Sequence, residues 1–231
     1  MKQLIKAFTI LFFAAAFMMP EAYAQKTPFT GTIIFDVKSE GELPDMAKTM
    51  MPKEMIYKFG KDLQSMKLDF QMAEQKTIYN PTTKEAKILM NVIGQKIVLT
   101  QTAAEMDELR KQQGETIGVK ETNETKTIAG YLCKKTIITK KTKDGKEHNS
   151  NIYFTDAIDV SKFKLFNAFP EIKGFPLEFS MITGKMEFTV IARSVSKESV
   201  PASEFAVGSD YKPMTVAEIQ KFFGGSSLLG K

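Results

Sequence analysis

The 231-residue chain has no tryptophan, one cysteine and one histidine. A single cysteine cannot close an internal disulfide, so the fold must rest on a hydrophobic core, which a chain of this length can supply. A single histidine, His148, excludes metal sites built from several imidazoles. It also leaves one obvious nucleophilic pair, Cys133 with His148. No G-x-S-x-G elbow, phosphate-binding P-loop, H-E-x-x-H helix or EF-hand loop occurs. Charge is not of one sign: 32 Lys and Arg stand against 27 Asp and Glu, a formal +5. The lysines alternate with acids or β-branched residues, whereas nucleic-acid binding usually shows a clustered basic stripe. The composition reads as a solvated, lysine-rich surface that leaves room for peripheral contact with an anionic membrane but no nucleic acid.

Long apolar runs are scarce too. The one candidate spans residues 7–19, preceded by Lys2 and Lys6 and followed by Ala22-Tyr23-Ala24. Charged start, short apolar stretch and A-x-A site make a secretory signal peptide, with cleavage expected after Ala24. The run falls short of the about 20 residues that a spanning helix needs, and no later segment reaches that length. No cysteine lies near the cut to carry a lipid. The expected product is exported, periplasmic or secreted. It comprises a single domain over 25–223 and a tail, "GGSSLLGK", over 224–231. Asn123-Glu124-Thr125 matches a glycosylation sequon, which means little in a bacterial-looking export context.

What is abundant is period-two alternation. "TGTIIFDVK" places Ile33, Phe35 and Val37 on one face, and "SMKLDFQM" does the same for Met66, Leu68, Phe70 and Met72. Residues 77–101 read as three strands with turns at Asn80-Pro81 and Gly94-Gln95. Residues 133–156 read as a hairpin around Asp144-Gly145. Another turns near Thr183-Gly184, with Leu177, Phe179 and Met181 answered by Met186, Phe188 and Val190. Consecutive hairpins with one apolar face predict a large antiparallel sheet. Helices are expected over 102–113, where Thr102 and Glu105 have capping-box spacing and Gly114 stops the helix. Two short ones are expected within 159–169 and within 215–223, the second with Thr215 and Glu218 at the same spacing.

The Asp-Gly hairpin tests the only dyad. With a two-residue turn, His148 falls opposite Lys141, eight positions from Cys133, or roughly 26 Å at about 3.3 Å per residue. The dyad therefore fails. Lys134 and Lys135 could lower the thiol pKa, but the same register puts Cys133 on a face with Ile137 and Ile152. A small core residue is the preferred reading, ahead of an exposed thiol able to dimerise. Asp156 and Asp159 sit at a strand end where catalytic acids can occur and where turns and helix caps also occur.

The apolar inventory is unusual, with 14 methionines and 18 phenylalanines. An ordinary core explains it. So does an apolar cavity between a curved sheet and covering helices, because methionine adapts to varied apolar partners. On that reading the ligand-facing residues are Met66, Leu68, Phe70, Met90, Phe179, Met181, Met186 and Phe188.

"KTIAGYLCKKTII", "NIYFTDAIDV", "GFPLEFSMITGKMEFTVIARSV" and "VPASEF" resemble an uncharacterised family of exported domains from Gram-negative envelopes. Its members share Gly-Tyr-x-Cys-Lys-Lys, Phe-Pro-Leu-Glu and Val-Pro-x-Ser-x-Phe segments. The resemblance covers the second half of the chain well and the first half loosely. It implies a fold similar to the periplasmic lipoprotein carriers, an incomplete barrel whose apolar concave face is plugged by helices.

The expected class is α+β, a curved antiparallel sheet (incomplete barrel) of roughly eight to eleven strands with two or three covering helices. The expected function is a non-catalytic binding or carrier module for an apolar ligand such as a lipid or acyl chain, with no metal and no cofactor. The alternatives are an envelope interaction or assembly protein with a filled core and, third, a hydrolase using carboxylates near Asp156.

Overall fold

A computed structural model describes residues 27–39, 51–70, 73–92, 94–112, 115–141, 145–166, 169, 171–183 and 186–222. The signal-peptide and tail readings fall outside them.

The first half is a chain of hairpins: β1 (Gly31–Ser39), β2 (Glu54–Phe59), β3 (Gln64–Asp69), β4 (Ala73–Asn80), β5 (Glu85–Val92) and β6 (Gln95–Gln101). Helix α1 (Ala103–Gln112) follows, then β7 (Glu115–Ile128), β8 (Tyr131–Lys141), β9 (Glu147–Thr155), β10 (Phe175–Thr183), β11 (Met186–Lys197), β12 (Lys212–Pro213) and α2 (Val216–Phe222). Two 3₁₀ segments, Ser161–Phe166 and Ala202–Phe205, lie in the connections around β10 and β11. All strands among the described residues form one sheet in the order β12-β6-β5-β4-β3-β2-β1-β11-β10-β9-β8-β7, antiparallel except where β12 pairs parallel with β6. The two edges do not meet, so the sheet is unclosed. The twelve strands among the described residues exceed the expected number. The strands not individually named from the sequence are β2, the two-residue β12, and β7, whose sequence ETIGVKETNETKTI lacks alternation because it is exposed on both faces over most of its length.

Both capping boxes form. The Thr102 N–H donates to Glu105 Oε2 at 2.7 Å, and the Thr215 N–H to Glu218 Oε2 at 2.7 Å. These bonds hold both carboxyls below the ordinary carboxylate range. A tight turn joins β7 to β8 at Ala129-Gly130, with φ of 47° and 84°. Ile128 pairs with Tyr131 across it, as in a two-residue turn with both central residues left-handed.

The Asp-Gly hairpin differs from expectation. Lys141 pairs with Glu147 and Lys140 with His148, leaving five residues, 142–146, between the strands. One residue of slip changes the face of every side chain relative to the partner strand. Ile152 therefore lies opposite Thr136, and the expected shared face of Cys133, Ile137 and Ile152 is not formed. His148 lies opposite Lys140, seven positions from Cys133, so the dyad still fails by about 23 Å.

The sheet curls around its core. Phe59 on β2 and Phe175 on β10 are three strand spacings apart, about 14 Å if flat, yet their ring centroids are 5.4 Å apart. Phe35, Tyr57, Phe163 and Phe179 join the same aromatic cluster through centroid distances of 5.6–6.3 Å. Edge-to-face contacts of this kind add to plain area burial.

The C-terminal segment wraps the β6 edge. On the outer face Phe205 packs on Ile78, Leu89 and Val98. Glu204 there is held by Lys58 at 2.9 Å and Lys76 at 3.7 Å. The chain then pairs along β6, and Ile219 of α2 packs on Ile97 and Leu99 from the other side. One edge of the sheet is thereby covered, as sheet edges usually are.

Candidate functional site

Cross-strand partners share a face, so the registers trace the inner surface row by row. One row runs Gly31, Phe59, Gln64, Tyr79, Ala86 and Gln101 from β1 to β6. The next runs Ile33, Tyr57, Met66, Thr77, Ile88 and Leu99, and the third Phe35, Met55, Leu68, Gln75, Met90 and Ile97. A short fourth row begins with Ala73, Val92 and Gln95. None of these positions carries a charge. The charges of β3–β6 lie on the other face, where Lys67 meets Glu74 at 2.6 Å and Lys96 meets Asp210 at 2.6 Å. Burial also raises the pKa of the Tyr57 phenol, as expected of a water-poor surface.

Burial changes along the strands. In the first row Phe59, Gln64, Tyr79, Ala86 and Gln101 are all buried. In the third, Phe35, Met55 and Ile97 are buried while Leu68, Gln75 and Met90 on β3–β5 are half-buried, as are Ala73 and Val92 beyond them. The inner face is therefore packed at one end and less covered at the other.

The register places the expected ligand-facing residues as follows. Met66 and Leu68 are half-buried against the main core, and Met90 is half-buried beside Ile97, Leu99 and Ile219. Phe70, half-buried, lies just past the end of β3, where its N–H donates to the Ala73 carbonyl at 2.9 Å. Phe179 and Phe188 are buried. Phe179 pairs with Val190, and Val190 with Val37, so they continue the same face onto β10 and β11. Met181 pairs with Phe188 and Met186 with Thr183, which puts their backbone positions in register with it. Leu68, Phe70 and Met90 lie toward the less covered end of the face, whereas Phe179 and Phe188 are buried.

Cys133 is fully buried. Its thiol lies 3.5 Å from the Tyr131 carbonyl, and burial pushes its pKa up to about 11. It pairs with Lys126, whose ammonium is bound to Glu178 at 2.6 Å and so supplies little net positive field. A thiol-specific disulfide reagent at pH 8 is expected to modify the folded protein about a hundredfold more slowly than the urea-unfolded chain. Equal rates would contradict the burial. Asp159 caps a turn, accepting from the Ser161 N–H at 3.0 Å, and Asp156 is exposed with Lys134 at 3.8 Å. Among the described residues no group of three or more His, Cys, Asp or Glu is placed to hold a metal ion. No helix among them is long and apolar enough to cross a membrane.

No family model matches the chain and no curated protein is similar to it in sequence. The family resemblance drawn from the Gly-Tyr-x-Cys-Lys-Lys segment thus has no matching family model. Solved structures that align with it include LprF from Mycobacterium bovis, at 8% identity and a TM-score of 0.38, over 77% of this chain and 90% of that one. MucB aligns at 8% identity and a TM-score of 0.33, over 78% of this chain. The aligned part spans 58% of the MucB chain. At that level neither protein's role transfers to this chain.

Proposed function

We propose that the chain is an exported, non-catalytic binding or carrier module whose inner sheet face receives the apolar part of a ligand such as a lipid or acyl chain. The observation that carries this reading is the absence of charge across the traced rows of β1–β6, combined with half-burial at one end. A surface that only fills a core has no reason to leave Leu68, Met90 and Val92 partly uncovered, whereas one that accepts an apolar guest does. The packed aromatic end favours a second reading, an envelope interaction protein with a filled core whose outer surface does the work.

Displacement of a fluorescent fatty-acid probe separates the two. Purified protein lacking residues 1–24 is expected to bind the probe, and Met90→Glu is expected to weaken it about tenfold or more by placing a charge in the apolar row. Absence of probe binding, with no ligand retained in native mass spectrometry of protein taken from its own host, would sink the carrier reading in favour of the second.

A further inference from the structure

The inner face changes character where it reaches β8 and β9. Its rows continue through Phe179, Ile152 and Thr136. Four residues along β8 on the same side is Lys140, with His148 as its direct cross-strand partner. Both are half-buried. The Lys140 ammonium sits 5.6 Å from the centroid of the Phe169 ring, which packs edge-on to Phe179 at 5.3 Å. That contact places the cation on the inner side of the sheet, and no ion pair to Lys140 is found among the described residues. An ammonium resting on an aromatic face is partly desolvated and keeps its donors for another partner. On the side of the sheet that Lys140 shares, the nearest carboxylates by topology are Glu171, which accepts from Thr116 at 2.5 Å opposite Lys140 on β7, and Glu121, exposed two rows away; Glu115 and Glu147, both paired with Lys141, occupy the alternate positions of their strands.

We propose that this site takes a long-chain fatty-acid anion, its carboxylate held by Lys140 and His148 and its chain lying on the uncharged rows beyond Phe179. The inference rests on the apolar-ligand reading above and adds the head group. Two ionisable side chains at one flank of an otherwise uncharged face suit an amphiphile with one anionic end better than a neutral hydrocarbon. Five strand spacings of about 4.8 Å separate β9 from β3, and the curl shortens the straight path. That span suits an extended acyl chain reaching Leu68.

Calorimetric titration with oleate and with oleyl alcohol, both below their aggregation limits, tests the head group apart from the chain. Oleate is expected to bind about tenfold more tightly than the alcohol. Lys140→Gln and His148→Gln are each expected to weaken oleate about fivefold and leave the alcohol unchanged, with unfolding midpoints unaltered. Glu171→Gln is expected to tighten oleate slightly. Equal affinity for oleate and alcohol, or oleate binding indifferent to both substitutions, overturns the head-group assignment while leaving the carrier reading in place. Binding of neither compound overturns both.

Discussion

Gly31→Ala is expected to cost about 3 kcal/mol or more of folding stability, or to prevent folding. Gly31 opens β1 and pairs with Phe59 on one side and Lys197 on the other. Its φ is +151°, and a Cβ there would lie 2.0 Å from the Ser196 carbonyl oxygen and 2.9 Å from the Phe29 ring. Neither neighbour can retreat cheaply. The carbonyl belongs to β11, and the β1–β11 ladder is the sole seam joining β2–β6 to β7–β10 in the strand order. The ring is buried against Phe59 at 5.6 Å. Gly130→Ala is the control: its φ is +84° but nothing lies within 4 Å of the added carbon, so it should show only the left-handed penalty of about 1–2 kcal/mol. Urea unfolding of both variants decides the matter. Equal losses would mean that backbone conformation, and not the close approach of β11, governs the position.

The seam also shows which parts of the fold were legible in the sequence. β1, β3, β10 and β11 alternate because one side packs and the other is wet, and that contrast is written directly into residue type. Ile33, Phe35, Met66, Leu68, Phe179 and Val190 fall on the expected face for that reason. β7 lacks the contrast, being mostly exposed on both sides, so no pattern marked it. β12 owes its place to contact with β6 and to no propensity of Lys212-Pro213. The Ala129-Gly130 turn is half legible: Gly130 marks where the chain turns into a strand, but alanine is a rare choice for the other left-handed position. The β8–β9 register was missed because Asp-Gly reads as a two-residue turn while five residues lie between the strands. That one-residue error hid the proposed head-group site. It placed His148 against Lys141, whereas the actual register puts it beside Lys140 on the face where Phe169 lies. Pairing across a hairpin is a tertiary outcome, and no local signal near His148 distinguishes the two registers.

Phe59→Ala is expected to lose about 4 kcal/mol, near the top of the range for a buried aromatic. Phe59 is fully buried. Its ring meets Phe29, Tyr57, Phe163 and Phe175 at centroid distances of 5.6, 5.9, 5.7 and 5.4 Å. Those four come from the segment before β1, from β2 itself, from the 3₁₀ connection and from β10, so removing the ring leaves a void that no single element can close. Phe59→Leu retains most of the volume and should cost nearer about 1–2 kcal/mol, giving a folded variant for binding work. Phe59 lies in the first row, at the packed end of the inner face, whereas Leu68 and Met90 lie at the less covered end. Phe59→Leu should therefore leave fatty-acid probe affinity within about twofold of the parent protein, against the tenfold loss expected for Met90→Glu. A comparable loss in the leucine variant would place the guest deep among the aromatic rings. In that case the packed end would be part of the ligand site, and the division of the face into a filled core and a receptive mouth would have to be given up.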